Sequence, residues 1–376
     1  MSRTGRVGVG VIGAGVISTQ YLENLTVFPD LEVLFIADID LSRASAQATA
    51  FGIPASGSVD ELLAVPEIEI VVNLTIPAAH VEVAERVIAA GKNVWTEKPF
   101  ALDRESGRRL LDEAKRLGLR VATAPDTFLG AGMQTALRLI ADGEIGTPLT
   151  ALALMQSPGP DSWHPNPEFL FQKGGGPLFD IGPYYLTALV QVFGSASRVT
   201  AAASTARPVR TIGAGPRAGT DFDVTVPSHY GALIEFESGA SAQVIFSFQS
   251  HRSRTGFIEV SGTMGTLQFP DPNNFDGASV IFDGTSEEDG RIIEPIGSLS
   301  TRGTGVAELA QSIRAGRAER AAGEQAFHVL DIMVSIAESA DRGHAVQVAS
   351  SCVKAPPVPE DWDPAIATLP MVEATA

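Results

Sequence analysis

The fold of the first part of the chain is decided by the stretch Val7-Gly8-Val9-Gly10-Val11-Ile12-Gly13-Ala14-Gly15-Val16-Ile17-Ser18. Its apolar opening predicts a buried strand over residues 7–12, and helical apolar spacing follows the glycines. Gly13 permits a tight turn, and Gly15 lets backbone amides at the helix N-terminus approach a pyrophosphate. Ser18 replaces the third glycine of this pattern, but a side chain as small as serine still allows close helix packing. The stretch therefore predicts a strand, a turn and a helix that bind a dinucleotide.

A second strand is predicted over residues 31–37, and it is followed by Asp38. An acid placed roughly 20 residues after the glycines accepts hydrogen bonds from ribose hydroxyls and repels a 2′-phosphate. Asp38 therefore favours NAD over NADP as the cofactor. The neighbouring Arg43 leaves the choice between NAD and NADP open, because an arginine at this place can accommodate the 2′-phosphate of NADP.

Helical and strand patterns go on alternating to about residue 125, which predicts a parallel sheet. Ligands of such sheets bind outside the carboxyl ends of the strands. One loop at such an end contains Asn73 and Thr75, and another contains Lys98, which we expect to point into the crevice. His80 begins the helix after the first loop, and a plain helix-start role for it stays open. The predicted cofactor contacts are Gly13, Gly15, Val16, Ile17, Asp38, Asn73, Thr75, Pro77, His80, Glu97 and Lys98.

The pattern changes after about residue 148, where long β-rich segments are joined by the turns Ser238-Gly239 and Met264-Gly265. Such hairpins predict an antiparallel sheet. One helix is predicted over Leu178 to Phe193 and a late one over Gly323 to Arg342. The predicted fold class is an α/β N-terminal Rossmann domain followed by an α+β C-terminal domain with a large, mostly antiparallel sheet. The predicted division is a dinucleotide-binding domain, a substrate-binding and oligomerisation domain and a surface tail, over residues 1–125, 126–360 and 361–376.

Composition argues against several kinds of partner. The chain of 376 residues has a net charge of −17, and both nucleic acid and an anionic membrane surface repel an acidic protein. Its single cysteine, Cys352, rules out an intrachain disulfide and a cysteine-rich metal site, and it fits a reducing cytoplasm. No stretch approaches the roughly 20 apolar residues of a membrane span. We therefore expect a cytoplasmic protein that binds neither nucleic acid nor membrane.

Four features of the sequence together resemble the Gfo/Idh/MocA oxidoreductases, the family of glucose-fructose oxidoreductase and inositol dehydrogenase. They are the run Gly13 to Ser18 after a strand, Asp38 after the next strand, Glu97-Lys98-Pro99, and the stretch Gly174-Gly175-Gly176-Pro177-Leu178-Phe179-Asp180-Ile181-Gly182-Pro183-Tyr184. The resemblance covers nearly the whole chain, and the last two motifs are more specific than the glycine pattern. It implies NAD(P)-linked chemistry on sugar or polyol hydroxyls and a C-terminal sheet that often forms homodimers or homotetramers.

The resemblance also implies roles for three residues. It makes Lys98 the lysine at the substrate and the nicotinamide, and it makes Asp180 the acid of the second motif. The family's usual catalytic histidine, four residues after that acid, falls on Tyr184 in this chain. This replacement is the main departure from the family pattern, so the assignment of a catalytic base depends on Tyr184.

A tyrosine and a lysine can divide the chemistry. Oxidation of a secondary alcohol needs a group that takes the hydroxyl proton and a cation that stabilises the developing alkoxide. Tyrosine is a weak base by itself, since a free phenol side chain has a pKa of about 10, but a neighbouring lysine cation favours the phenolate. On one continuous helix Asp180 and Tyr184 share a face, which points toward Lys98 if the two domains close as the resemblance implies. The alternative is that Tyr184 and Tyr185 form a buried aromatic pair.

Two loops contain further candidates for substrate binding. Trp163 and His164 lie in a proline-braced loop, which suits aromatic stacking on a sugar ring and equally suits a plain surface loop. His251, Arg252 and Arg254 follow a predicted strand. They could bind an anionic group of a substrate, and the alternative is a solvated basic turn.

One pair on the late helix has the residue types of a metal site. His328 and Asp331 are three residues apart, but no third ligand is evident, so we expect a hydrogen-bonded pocket or core pair and no metal. The predicted substrate contacts are Lys98, Trp163, His164, Asp180, Tyr184, His251, Arg252 and His328.

Three functions stay open at the level of sequence. The first is a dehydrogenase that oxidises a ring hydroxyl of a sugar or sugar derivative with NAD. The second is an NAD-dependent glycoside hydrolase, a chemistry of some similar proteins, in which transient ring oxidation is followed by elimination, hydration and re-reduction. The third is a non-catalytic dinucleotide sensor, and the retention of Lys98 and Asp180 argues against it. The histidine lost at Tyr184 does not separate the first two.

Overall fold

The computed structural model describes residues 5–284 and 290–370. The chain forms two compact units. The first unit contains Met1–Gly130, Gly297–Ala326 and Val358–Ala376, and the second contains Ala131–Ile296 and Phe327–Pro357. This division differs from the predicted one. Residues 297–326 were predicted to belong to the second domain and the residues from 361 to a tail, but both segments belong to the first unit.

A six-stranded parallel sheet forms the centre of the first unit. Its strands are β1 (Val7–Ile12), β2 (Leu31–Ala37), β3 (Ala55–Gly57), β4 (Ile68–Asn73), β5 (Asn93–Thr96) and β6 (Val121–Thr123). They lie in the order β3-β2-β1-β4-β5-β6. The chain changes direction across the sheet between β1 and β4, and ligands of open α/β sheets bind at such a switch point. The predicted Rossmann sheet is confirmed.

The strand register brings four strand ends level. Ile12 pairs with both Ala37 and Asn73, and Asn73 pairs in turn with Thr96. The loops that follow these four residues therefore start side by side, along what we call the carboxyl edge of the sheet. β1 is buried along its whole length, as expected of a central parallel strand that is covered on both faces.

Five helices connect these strands: α1 (Val16–Leu25), α2 (Leu41–Phe51), α3 (Val59–Leu63), α4 (His80–Ala89) and α5 (Arg104–Leu117). Asp40, Ser58 and Asp103 cap α2, α3 and α5 with their side chains, which satisfies amides that a helix cannot bond internally. α1 begins at Val16, and its N-cap residue, Gly15, has no side chain to cap it. A helix N-terminus of that kind is suited to binding an anion.

A nine-stranded mixed sheet forms the centre of the second unit, beside a separate two-stranded pair. Its strands lie in the order β16-β15-β14-β13-β7-β12-β11-β8-β17, with these bounds: β7 Pro148–Gln156, β8 Ala196–Ser204, β11 His229–Phe236, β12 Ser241–Ser247, β13 Arg254–Gly262, β14 Thr266–Gln268, β15 Ser279–Phe282, β16 Arg291–Ile293 and β17 Val346–Gln347. The pair is β9 (Val209–Thr211) and β10 (Asp221–Asp223). β7 and β12 run parallel, and the other neighbours in the nine-stranded sheet run antiparallel. The predicted, mostly antiparallel sheet is confirmed.

The later helices are α6 (Ala131–Ala141), α7 (Gly176–Asp180), α8 (Gly182–Phe193), α9 (Thr304–Ala315) and α10 (Gly323–Arg342). α9 belongs to the first unit, and α6, α7 and α8 belong to the second. In the second unit α7 packs against β11 and β12, and α8 packs against β7. Within the residues that the structure describes, no helix is long and apolar enough to cross a membrane.

The single helix predicted over residues 178–193 is in fact two helices. α7 ends at Asp180 and α8 begins at Gly182. Pro183 gives the physical reason, because it lacks the N–H that would bond to the carbonyl of Phe179 in a continuous helix. Asp180 therefore ends one helix while Tyr184 lies in the first turn of the next. The argument that one helix presents both side chains on one face no longer holds.

The C-terminal segment is anchored to the first unit by a buried acid. Asp30 is 1% exposed. Its carboxylate accepts the hydroxyl of Thr368 at 2.6 Å, the amides of Thr368 and Leu369 at 3.0 Å each, and the side-chain amide of Gln311 at 2.9 Å. A buried carboxylate needs such donors. The predicted tail is thus mostly exposed as far as residue 370 but is tied to the first unit at Thr368 and Leu369, and its remainder lies outside the described residues.

We expect Asp30→Asn to lower the free energy of unfolding by about 1–3 kcal/mol. The asparagine would place an NH₂ group, itself a donor, against the N–H and O–H donors that Asp30 accepts. Burial by itself raises the pKa of Asp30, but the hydrogen bonds from Thr368, Leu369 and Gln311 outweigh burial and lower that pKa. The carboxylate therefore contributes fully above the unfolded pKa of about 4, and its contribution is lost as the pH falls toward the lower native pKa. Urea unfolding across the acidic and neutral pH range measures both effects.

Asp361→Asn is the control for this prediction, because Asp361 is an exposed acid of the same segment. It should change the free energy of unfolding by less than about 0.5 kcal/mol. Equal stability of wild type and the Asp30 variant at neutral pH would contradict the anchoring role.

Candidate functional site

The glycine turn after β1 has room for a pyrophosphate. Gly13 has a φ of +105°, and a Cβ there would lie 2.7 Å from the carbonyl oxygen of Leu74, so a glycine is required. At Gly15 a Cβ would meet no atom within 4 Å. The open space at Gly15 lies at the uncapped start of α1, where backbone amides and the helix dipole favour an anion. The turn therefore fits the diphosphate of a dinucleotide.

Asp38 both closes this turn and occupies the ribose-binding position of the fingerprint. It is 7% exposed. Its Oδ2 accepts the amide of Ala14 at 2.7 Å, and its Oδ1 accepts the amide of Asp40 at 2.8 Å and a guanidinium N–H of Arg43 at 2.9 Å. Arg43 is half exposed. Arg43, which could accommodate the phosphate of NADP, is thus in contact with Asp38, the acid predicted to bind the ribose.

The loop after β4 is tied to the loop after β5 by His80. Asn73 is buried, donates to the carbonyl of His80 at 2.9 Å and accepts the hydroxyl of Thr75 at 2.7 Å. The imidazole of His80 lies 2.8 Å from the carbonyl oxygen of Pro99 and 2.9 Å from that of Thr75. Burial lowers the pKa of His80. Both ring nitrogens of His80 thus face backbone carbonyls of the two loops, and its cofactor contact stays a prediction.

Lys98 lies half-buried in the loop after β5. The carboxylate of Glu97, beside it, is 7% exposed and accepts the hydroxyl of Tyr21 and the amide of Lys98. Both oxygens of Glu97 are therefore used within the protein, which argues against the predicted direct contact between Glu97 and the cofactor. Gly13, Asp38, Thr75 and Lys98 all follow strands that end at the carboxyl edge, so the fold brings these predicted residues together.

Three apolar side chains at the carboxyl edge are unusually exposed. Val16 is 91% exposed, Ile39 is 95% exposed and Ile76 is 66% exposed. Exposed isoleucines beside a polar site suit the flat apolar faces of a bound base. Ile39 and Ile76 were not predicted, although an isoleucine directly after Asp38 and another directly after Thr75 were visible signals.

In the second unit the two tyrosines of α8 are both buried. Tyr184 is 5% exposed and Tyr185 is 1% exposed. The hydroxyl oxygen of Tyr185 accepts the amide of Gly256 at 2.7 Å, and its ring meets that of Phe246 edge to face at 5.7 Å. Burial raises the pKa of Tyr185. Tyr185 is therefore a packing residue, while Asp180, at the end of α7, is partly exposed.

An aromatic series lies on the loop before α7. The ring of Trp163 meets His164 at 5.5 Å, and His164 meets Phe169 at 5.6 Å, both edge to face. Trp163 is 66% exposed and Phe169 is 46% exposed. Exposed aromatic rings offer apolar faces for a sugar ring. Phe169 is the member of this series that the sequence reasoning missed.

The aromatic loop is braced by a buried arginine that was also missed. The guanidinium of Arg210 donates to Asp161 at 2.6 Å and to the carbonyl of Pro158 at 2.8 Å, and it also donates to the carbonyl of Phe248. It lies 4.7 Å from the ring centre of Phe171. Nothing in the local pattern around Arg210 distinguishes it from a surface arginine.

The remaining predicted substrate contacts lie in different environments. His251 and Arg252 lie exposed in the turn between β12 and β13, and Arg254 is the exposed first residue of β13. His328 is fully buried, accepts the amide of Ala196 at 2.9 Å on Nε2, and lies 2.9 Å from the hydroxyl of Ser350 on Nδ1. Burial lowers the pKa of His328. Its predicted substrate contact is corrected to a core role, because both ring nitrogens are bonded within the second unit.

The described residues, 5–284 and 290–370, contain no cluster suited to a metal. No set of three or more histidine, cysteine, aspartate or glutamate side chains in that part of the chain could hold a metal ion.

Two family models match the chain. The one described as an oxidoreductase family with an NAD-binding Rossmann fold matches residues 7–124. The one described as the GFO/IDH/MocA C-terminal domain matches residues 133–268. The first unit is therefore an NAD-binding Rossmann domain, in agreement with the geometry of the glycine turn and Asp38.

Individual relatives are oxidoreductases. The uncharacterised oxidoreductase ORF334 of Rhizobium meliloti is 32% identical over 273 residues, 71% of this chain and 75% of that protein. The trans-1,2-dihydrobenzene-1,2-diol dehydrogenase of Bos taurus is 29% identical over 70% of this chain and 74% of its own length, and the 1,5-anhydro-D-fructose reductase of Ensifer adhaerens is 29% identical over 69% and 74%. A solved levoglucosan dehydrogenase in complex with NADH has a TM-score of 0.81 at 23% identity, over 92% of this chain and 100% of its own.

We expect NADH to bind at least about tenfold more tightly than NADPH, because Asp38 accepts ribose hydroxyls and repels a 2′-phosphate, each effect being worth about 1 kcal/mol. Arg43→Ala should widen this gap, since the variant removes the cation that offsets the charge of Asp38 and could receive the phosphate. Asp38→Ala should narrow the gap and also weaken NADH, because the Ala14 amide loses its acceptor. Fluorescence titration of the wild-type protein and both variants with each nucleotide measures the dissociation constants.

Arg116→Ala, on the exposed end of α5, is the matched control for Arg43→Ala and should change neither affinity. Equal affinities of the wild-type protein for NADH and NADPH would show that Asp38 does not select the cofactor.

Proposed function

Because the chain belongs to the GFO/IDH/MocA oxidoreductase family, we propose that it catalyses NAD-dependent hydride transfer at a ring hydroxyl of a sugar or sugar derivative. The observation that carries the proposal is the carboxyl edge of the first unit. There a glycine turn that fits a pyrophosphate, the ribose-type acid Asp38 and the half-buried Lys98 follow strands that end level. A non-catalytic sensor needs the first two features and has no use for the lysine.

Lys98 is the proposed electrostatic catalyst. Bound NAD supplies the acceptor for the hydride that leaves the carbinol carbon. As the hydroxyl proton is lost, negative charge grows on the substrate oxygen, and a lysine ammonium is a compact cation that stabilises it. In the proposal Lys98 meets that oxygen and holds the substrate hydroxyl in place.

Tyr184 is the proposed proton acceptor, with Asp180 as a substrate-binding acid. The phenol stands at the place of the family's usual histidine, and a cation beside a phenol lowers the cost of forming the phenolate. The break at Pro183 places Tyr184 in the first turn of α8, where a helix N-terminus also favours a negative charge. This placement supports Tyr184 as a base. It replaces the argument that Asp180 and Tyr184 share one helix face, which does not hold because they lie on separate helices. Asp180 is the second candidate for the base.

The substrate class is supported by the relatives and by the aromatic loop. Relatives named for a dihydrodiol and for an anhydro sugar act on small hydroxylated rings. Trp163 and Phe169 expose ring faces of the kind that stack on sugars. The basic turn at His251 and Arg252 is proposed to favour substrates with an anionic group. The homo-oligomer implied by the family resemblance stays a prediction.

We expect Lys98→Ala and Tyr184→Phe each to lower kcat by about 10²-fold or more, because a positioned proton-transfer group or charge typically contributes that much. NADH affinity should stay within about threefold of wild type. The assay is NADH formation from a panel of levoglucosan, 1,5-anhydro sugars, aldoses and inositols. The split between kcat and NADH affinity separates a chemical role from a binding role.

Lys115→Ala and Tyr230→Phe are the matched controls, one at an exposed lysine of α5 and one at a buried tyrosine of β11. Both should keep wild-type turnover. If Tyr184→Phe also keeps most of the activity, the tyrosine is a packing residue and Asp180→Asn becomes the test of the base.

The balance of NADH separates a dehydrogenase from a glycoside hydrolase. A dehydrogenase forms one NADH per turnover and leaves the glycosidic bond intact. A hydrolase that works by transient oxidation returns the hydride, and the acidified C–H next to the oxidised carbon exchanges with solvent before elimination. We expect stoichiometric NADH from sugars, and no aglycone from neutral and acidic aryl glycosides, in deuterated water. Aglycone release without net NADH, with deuterium at that carbon, would favour the hydrolase instead.

A further inference from the structure

A buried chain of hydrogen bonds ends at the backbone of Lys98. The Nε1–H of Trp95 donates to the hydroxyl oxygen of Tyr21 at 3.2 Å, and the hydroxyl of Tyr21 donates to Oε1 of Glu97 at 2.7 Å. The other carboxylate oxygen, Oε2, accepts the amide of Lys98 at 3.0 Å. Tyr21 and Trp95 are fully buried. Because Tyr21 lies on α1, the chain connects the helix of the glycine turn to the lysine of the site.

The charges around Tyr21 keep it a hydrogen-bond donor. Burial, followed by the carboxylates of Glu97 and Asp126, raises the pKa of Tyr21 well above its usual value. Its hydroxyl therefore keeps its proton throughout the neutral range. Asp126 accepts the amides of Gly303 and Gly305 on Oδ2, at 3.1 and 3.2 Å, so its hydrogen bonds are directed to the start of α9. Glu97 is the carboxylate that accepts the hydrogen bond of the Tyr21 hydroxyl.

The hydrogen bond of Tyr21 limits the motion of the Glu97 carboxylate. Without the hydrogen bond from Tyr21, the carboxylate of Glu97 could rotate about its terminal bond and lose the hydrogen bond from the Lys98 amide. Held at both oxygens, Glu97 keeps a charge-assisted bond to the Lys98 amide. That bond restrains the backbone from which the lysine side chain extends. Since a misplacement of about 1 Å at a reacting group can cost about 10²-fold in rate, this restraint bears on turnover.

We propose that Tyr21 is a positioning residue, which through Glu97 fixes the backbone at Lys98 and so the direction of the lysine side chain. The inference rests on the role of Lys98 in the proposed function. It also assigns Glu97 to the support of Lys98 in place of the cofactor contact that the sequence suggested.

The first test is Tyr21→Phe, which removes one hydroxyl and leaves the ring in place. We expect kcat on the best substrate of the sugar panel to fall by about 10- to 100-fold, with the NADH dissociation constant changed by less than about twofold.

A second measurement needs no substrate. Hydrogen exchange followed by mass spectrometry reports the protection of amides in the peptide that contains Lys98, with and without NADH. In Tyr21→Phe this peptide should exchange faster, while peptides from β1 and β4 keep their wild-type rates. Tyr230→Phe makes the same chemical change at a buried tyrosine of β11 and should leave kcat and the exchange of this peptide unchanged.

Glu97→Gln completes the test as a double-variant cycle. Its amide can accept from Tyr21 or from the Lys98 amide but presents a donor to the other, so the single variant should also lose turnover. With Tyr21→Phe in the same chain, the glutamine oxygen is free to turn to Lys98. The double variant should therefore lose less than the product of the two single losses, as expected of residues that act through each other.

The outcomes separate this inference from the proposed function. If Lys98→Ala keeps turnover, the catalytic role of Lys98 fails, and with it the effect of Tyr21 on rate. If Lys98→Ala abolishes turnover while Tyr21→Phe keeps the wild-type kcat and exchange and only melts at a lower temperature, Tyr21 is structural and the inference alone is overturned. Multiplicative losses in the double-variant cycle would also count against it.

Discussion

The site of the first unit depends on the close contact between Gly13 and the carbonyl of Leu74. A Cβ at position 13 would lie 2.7 Å from that oxygen, so any other residue would push apart the loops that follow β1 and β4. On the other side of the turn, Asp38 accepts the amide of Ala14 at 2.7 Å. The turn is thus held from both neighbouring strands. Its place relative to the loops after β2 and β4 is set by these two contacts before any cofactor is considered.

Two sets of hydrogen bonds support the loops near the proposed catalytic lysine. The imidazole of His80 lies between the carbonyls of Thr75 and Pro99, in the loops after β4 and β5, and its one N–H donates to one of them. Tyr21 donates to Glu97 from α1. Titratable groups are buried here at a cost in desolvation that their hydrogen bonds offset. Such a network restricts the loops more than apolar contacts of the same area, because each bond has a direction. The rigidity suits a site that must hold one lysine within about 1 Å of its working place.

Much of the first unit could be predicted because its signals are local. The strand, glycine turn and helix after Val7 follow one another directly, and Asp38 and Lys98 come soon after β-branched runs. The partners of the buried polar groups could not be predicted in this way. Tyr21 and Glu97 are 76 residues apart, and nothing in the periodicity of either segment predicts that the two side chains meet. The returning segments 297–326 and 358–376 were missed for the same reason, since Asp30 finds its backbone donors 338 and 339 residues later. Pro183 was visible, but the apolar spacing on both sides of it favoured one helix.

In the second unit a single buried cation, Arg210, holds two loops in place. The side chain of Arg210 is fully buried, and burial lowers its pKa even though Asp161 opposes that effect. Burying a guanidinium is costly unless it is paired, and within the described residues its Nε has no hydrogen-bond partner. Its other nitrogens bond to Asp161 and to the carbonyls of Pro158 and Phe248. These groups belong to the aromatic loop and to the strand end before the basic turn. The two loops proposed to contact substrate therefore share one buried charge, and each is held to it by its own charge-assisted bonds.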